Sequence, residues 1–266
     1  MPTWAELWAA AKSPRLQGPL LLTAFIAVST AAAFGCGVRG LPWWYQMILA
    51  FLVLATLLFL WLTNQANPGI IVPSTERDAV VELLEDGQSG FPGFCKLSKD
   101  RKGRWIREVL TKEGYPDHEK YCMECNVWRP RRGYHCETCG YCMDRGDHHC
   151  PMMGNCVARL NHRFFALHLN FALLASGAVL GGCVWRLLRL KFPSSGDARR
   201  NGESYVLIVL AVVYGYLAVC LLFGVFHCWG LLYDFTTKDM AGADDGAAAA
   251  AAAGSGPSTG LTLGTS

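Results

Sequence analysis

The chain has 266 residues, 52% of them hydrophobic and only 17% charged, with Lys plus Arg at 24 and Asp plus Glu at 21. A soluble domain carries about 25% charged residues, so this balance points to a membrane protein, while a formal charge of +3 excludes a strongly basic nucleic-acid binder. Twelve cysteines in so long a chain exclude a small disulfide-stapled secreted domain.

Residues 1–18 read as a cytosolic N-terminal tail carrying Lys12 and Arg15. Residues 19–63 hold two uncharged apolar stretches, Pro19 to Val38 and Trp43 to Thr63, the second opening on the interfacial pair Trp43 and Trp44. Each meets the roughly 20 apolar residues that a spanning helix needs. Glu6 and the length of the first stretch argue against a cleaved signal peptide. Residues 64–120 are polar, with a basic cluster at Lys99, Arg101, Lys102, Arg104 and Arg107. They read as a cytosolic linker, with a helical turn or two around Trp105 to Thr111. Residues 121–163 are rich in cysteine. Residues 164–233 hold two more uncharged spans, Phe164 to Val184 and Tyr205 to Tyr233. Residues 234–266 form a cytosolic tail, mostly Ala, Gly, Ser and Thr, and are expected to be disordered. The tails and the centre hold 18 Lys plus Arg against 6 in the opposite connections. The positive-inside rule therefore places both termini and the centre in the cytosol.

Between Cys122 and Cys156 lie seven cysteines and three histidines in 35 residues. So short a segment cannot fold on apolar burial alone, and a reducing compartment favours zinc over disulfides. Cys122, Cys125, His135 and Cys142 form the pattern C-x2-C-x9-H-x6-C. Cys136, Cys139, His149 and Cys156 repeat it 14 residues later. Two interleaved Cys3His sets predict two structural Zn2+ sites. The fold class expected is thus an α-helical polytopic membrane protein: four transmembrane helices with a small cytosolic two-zinc domain between helices 2 and 3.

Two residues are left over, His148 and Cys150. Cys150 occupies the place where a third repeat would open, but the next cysteine that repeat needs is Met153. In an extended segment His148 and Cys150 face one way and His149 the other, toward metal. Asp147 stands in position to orient His148. A thiol beside a histidine and an acid is the arrangement of covalent acyl transfer. An ordinary thiol, or a ligand swapped in for another, is the competing reading. Six arginines (Arg129, Arg131, Arg132, Arg145, Arg159 and Arg163) either face a phosphorylated ligand or screen the thiolates.

Asp147-His148-His149-Cys150-Pro151 in this frame resembles the DHHC-type protein S-acyltransferases, the palmitoyltransferases. Arg129-Pro130, Arg132, His135-Cys136, Asn155-Cys156-Val157, Asn161 and Phe165 fit the same signature. Asn67-Pro68-Gly69 looks like the family's Asp-Pro-Gly, and Thr236-Thr237-Lys238-Asp239 like its Thr-Thr-x-Glu. Met152 stands where the family usually has Trp, and Ala158 replaces a usual Gly.

The resemblance implies that Cys150 takes a fatty acyl group from acyl-CoA, such as palmitoyl-CoA, and passes it to cysteines of membrane-associated proteins. His148 would act as base with Asp147 behind it, and Arg129, Arg131 and Arg132 would meet the CoA. It also implies a multi-pass protein of the ER, Golgi or plasma membrane. The alternative is a catalytically silent zinc-domain adaptor in the bilayer. A RING-type ligase module is disfavoured by the ligand order. His168 and Asn170, too polar for lipid, are expected to face the bundle.

Overall fold

The computed structural model describes residues 14–87, 97–100, 103–111, 114–190, 198–233 and 237. The residues expected to form a disordered C-terminal tail lie outside these, Thr237 excepted. Helix α1 (Pro14–Ala32) starts on a proline, whose fixed φ and missing N–H suit the first helical position. It ends in a π-helical turn at Ala33–Gly37. After a short turn comes α2 (Trp43–Gln65). The second pair begins with α4 (His162–Leu190), and the last span is α5 (Ala198–Leu221) continued by α6 (Phe223–Leu232). Among the described residues, four helical spans are long and apolar enough to cross a membrane: Pro14–Gly37, Trp43–Gln65, His162–Leu190 and Asn201–Leu232.

Large apolar side chains such as Leu21, Leu54, Val212 and Val219 point outward, as lipid-facing residues do. Leu49, Val179, Cys183, Leu207 and Leu210 fill the core between the helices. His168 is buried with Nδ1 3.0 Å from the Thr56 carbonyl oxygen of α2, and the Asn170 amide donates to the Gly224 carbonyl of α6 at 3.1 Å. Both polar groups face the bundle, as expected.

Between α2 and α4 the described residues form short antiparallel strands and one small helix, α3 (Ala79–Glu85), capped by Asp78. Strands β2 (Leu97–Lys99), β3 (Trp105–Leu110), β4 (Pro116–Cys122) and β5 (Val127–Arg129) make one sheet in sequence order. The helical turn expected at Trp105 to Thr111 is therefore strand β3. Trp105, Ile106 and Val109 favour a pleated surface, and five residue pairs from Ile106↔Lys120 to Leu110↔Pro116 fix its register. A helix of two turns has no comparable support in water. Arg107 is held by Glu119 at 2.8 and 2.5 Å and lies over the Trp128 ring. Strand β4 also runs across the boundary at 120/121 drawn from composition.

Strands β1 (Ile70–Ile71), β6 (Tyr134–Cys136) and β7 (Tyr141–Met143) form a second sheet, ordered β1-β7-β6. A final hairpin pairs β8 (His148–Cys150) with β9 (Asn155–Val157).

Asparagines fix this small domain to the helix ends. The last carbonyls of a helix lack partners, and Asn155 Nδ2 donates to those of Thr63, Asn64 and Ala66 at 3.1, 3.0 and 3.0 Å. Asn161 adds a bond to Thr63 at 3.2 Å, and Asn64 Nδ2 reaches the Met153 carbonyl at 2.8 Å. Asn67 Oδ1 accepts from the N–H groups of Gly69 and Ile70, the role an aspartate would fill. The start of α1 lies against the turn after Cys150. A Cβ on Gly18 would collide with the Pro151 carbonyl, and one on Gly154 (φ +60) with that of Arg15.

Candidate active site and metal clusters

Strand alternation builds the metal clusters. His135 and Cys142 are cross-strand partners on β6 and β7, and His149 and Cys156 are partners on β8 and β9. Each C-x2-C pair ends or follows a strand and closes the set. On β6, His135 joins one cluster and its neighbour Cys136 the other, because successive strand residues face opposite ways. The sequence interleaving is this alternation.

In the first cluster His135 Nδ1 lies 3.6, 3.3 and 3.8 Å from the sulfurs of Cys122, Cys125 and Cys142. In the second, His149 Nδ1 lies 3.7, 3.3 and 3.6 Å from those of Cys136, Cys139 and Cys156. A tetrahedron with Zn–S near 2.3 Å and Zn–N near 2.0 Å has S···N edges of about 3.5 Å. Both clusters fit a zinc ion with all four positions filled by protein. Without a cation, burial first and then neighbouring thiols push Cys142 and Cys156 far above the ordinary thiol range. A dication reverses that balance. Burial, then the charge of His148, pulls His149 down, which favours the neutral ring a metal requires. Glu124 Oε2 sits 2.6 Å from His135 Nε2, off the N–H axis, as a charge contact on the far side of the ring.

On β8 the three residues divide. His149 turns to its cluster, while His148 and Cys150, two apart on the strand, share the other face. The Cys150 side chain packs against an apolar cluster centred on Leu60 of α2, Met153, Val157 and Phe165 of α4, against which Leu22 of α1 also packs. His148 Nδ1–H donates to Asp147 Oδ2 at 2.8 Å. Asp147 is buried, and its other oxygen, Oδ1, accepts from the Thr237 backbone N–H at 2.6 Å and from the Thr237 hydroxyl. Burial raises the Asp147 carboxyl, but hydrogen bonds from His148 and Thr237 outweigh it and hold the group well below the usual range. Burial also pulls His148 down. The bonds to Asp147 and Cys150 more than reverse this and push it up to about 9.

Residues 115–243 match the family model described as DHHC palmitoyltransferase. The chain carries a DHHC-family domain. No curated protein matches the chain at a significant level. The DHHC domain so defined runs from the start of β4 through α6 and takes in Thr237, both metal clusters and Cys150. The family is one of palmitoyltransferases, and the spans and cysteine clusters accord with a polytopic membrane fold.

The DHHC domain brings together all eight expected ligands and the Asp147–His148–Cys150 group. The three arginines assigned to CoA are not equivalent: Arg129 is buried, Arg132 half-buried and Arg131 exposed. Three residues next to the site carry no role in the sequence reading. Thr237 was aligned only as part of a motif. His162 and His227 lie buried beside Asp147. A histidine in an otherwise uncharged span was the available signal, since polar groups within spans are costly.

Proposed function

We propose that this protein is an S-acyltransferase that moves a long-chain fatty acyl group from acyl-CoA to cysteine thiols of membrane-associated proteins. The observation that carries the reading is the division of β8: His149 serves a metal cluster while Cys150 packs on the apolar cluster of Leu60 and Phe165, and His148 lies edge to face with Phe165. In the first step the Cys150 sulfur attacks the acyl carbonyl carbon, the carbon–sulfur bond to CoA breaks, and CoA leaves as its thiol with the proton held by His148. In the second, a substrate cysteine gives its proton to His148 and attacks the acyl-Cys150 thioester, restoring the Cys150 sulfur. Asp147 holds the imidazole through Nδ1 and leaves Nε2 for these transfers.

The acyl chain stays among the apolar helix faces next to Cys150 while CoA remains in water. Burial gives about 0.8 kcal/mol per methylene and favours long chains. Arg131 and Arg132 are the accessible candidates for CoA phosphates, with Arg129 behind them. Zinc, when bound, supplies folding free energy and no open coordination position. Both termini and the zinc domain lie in the cytosol, where acyl-CoA is found, and the protein resides in the ER, Golgi or plasma membrane.

The test is incubation of purified protein with labelled palmitoyl-CoA. Hydroxylamine-sensitive label on the wild type, absent from Cys150→Ser, is expected. Met152, exposed where the family usually has Trp, favours a second reading as a silent adaptor. Unlabelled wild-type protein that still holds its membrane partners would establish that one instead.

A further inference from the structure

Beside Asp147 lies a buried pair of histidines from two spans. His162 opens α4 and His227 lies on α6. His162 Nε2 and His227 Nδ1 are 3.0 Å apart, and His227 Nδ1 is 3.8 Å from Asp147 Oδ2, the oxygen that also receives His148. His227 is only 1% exposed. Its ring is clamped edge-on by Phe165 and Phe223 at centroid distances of 5.0 and 4.7 Å, so its edge has one direction available.

The ring's other nitrogen, Nε2, is buried without a hydrogen-bond partner among the described residues. An orphaned buried N–H is rarer than an under-used acceptor. The proton therefore belongs on Nδ1, where it donates to His162 and turns its positive end to Asp147. At 3.8 Å the contact with the carboxylate is beyond hydrogen-bond length and acts through charge and packing.

We infer that His227, oriented by His162, is a positioning residue that holds the Asp147 carboxylate in register with His148. The inference rests on the acyltransferase reading above. A metal ion is the competing occupant, since Asp147, His162 and His227 place donor atoms within 4.8 Å of one another. The contacts disfavour it: both Asp147 oxygens already accept from Thr237 or His148, and the two histidines share a proton.

The experiment measures single-turnover thioester formation on the full-length protein with labelled palmitoyl-CoA, alongside zinc content. His227→Phe keeps the ring and loses the donor. Its rate at saturating palmitoyl-CoA is expected to fall about tenfold to a hundredfold, the scale of a misplaced catalytic group. The half-saturating concentration should not move, and two zinc ions should remain. His227→Asn sets an amide N–H near the place of Nδ1 and should recover most of the rate, while His227→Gln, with its N–H at the far edge, should not. Wild-type rate in His227→Phe, equal losses in all three variants, or a third metal equivalent lost with His227 would overturn the inference. Should His227→Phe fail to retain zinc, the comparison passes to His162. His162→Gln, whose amide oxygen can stand in for Nε2, should exceed His162→Phe, and equal rates would overturn the inference. Absence of label on the wild type would remove the acyltransferase reading and this inference with it, whereas a labelled wild type matched by His227→Phe removes the inference alone.

Discussion

Thr237 donates both its backbone N–H and its hydroxyl to one oxygen of Asp147, a residue 90 positions earlier in the chain. Thr237 thereby closes on the carboxylate that orients His148. The other oxygen of Asp147 is left to the imidazole.

Thr237→Val removes the hydroxyl bond and keeps the backbone one. A hydrogen bond to a charged group contributes about 1.5–3 kcal/mol, and about 1.4 kcal/mol is a tenfold change in rate. Thioester formation on Cys150 should fall by roughly tenfold or more, with zinc content unchanged. Rapid-quench labelling with palmitoyl-CoA reads the rate directly. An unchanged rate would mean that the hydroxyl has no part in orienting Asp147.

Metal retention should separate the sulfur roles. Cys156→Ser removes a ligand from the second cluster, where three thiols and one imidazole nitrogen fit a single tetrahedron. Structural zinc sites contribute about 10 kcal/mol or more to folding, so this variant should lose one zinc and unfold at much lower temperature. Cys150→Ser should keep two zinc ions and the wild-type unfolding temperature. Elemental analysis of purified protein decides it, and a zinc ion lost from Cys150→Ser would make that sulfur a ligand.

The clusters and the spans were legible in the sequence for one reason each. Tetrahedral coordination fixes ligand spacing, so the 14-residue repeat survives in the sequence as a visible period. A bilayer demands long uncharged runs, and four are present. The sheet of β2 to β5 was not legible, because its strands are short and their stability comes from partners elsewhere in the chain. Thr237, His162 and His227 carry no local pattern that points to Asp147. Their role arises only when the first turn of α4 and the end of α6 pack beside β8. The burial of Arg129 was not legible either, because it depends on the strand β5 in which the residue sits.

Asn155 tests how the zinc domain is held to the membrane helices. One amide nitrogen serves three carbonyls at the end of α2. Asn161 still serves Thr63 and Arg15 still serves Asn64, so Asn155→Ala strips its bond from all three but leaves the Ala66 carbonyl without this partner, at a cost of about 1–3 kcal/mol. Asn155→Asp sets a carboxylate against three carbonyl oxygens and should destabilise by more, several kcal/mol, as an unpaired buried charge does. Thermal unfolding in detergent should rank wild type above Ala above Asp. A variant order with Asp at or above Ala would show that the side chain accepts rather than donates at this joint.

The Asp147–His148 pair should contribute stability that is lost at alkaline pH. His148 stands at about 9 in the folded protein against an ordinary 6.5, because its bonds to Asp147 and Cys150 favour the charged ring. A group raised on folding stabilises fully below its unfolded value and loses that contribution as pH rises through its folded one. The pair's contribution should therefore be complete below about pH 6.5 and gone above about pH 9. Its size is about 1 kcal/mol once solvent screening at the partly exposed edge of the ring is allowed for. His148→Asn removes the titrating group while leaving both zinc clusters their ligands. The gap in unfolding temperature between wild type and His148→Asn should be largest near pH 6 and close toward pH 9.5. A gap that widens with pH would mean that the folded protein holds His148 neutral.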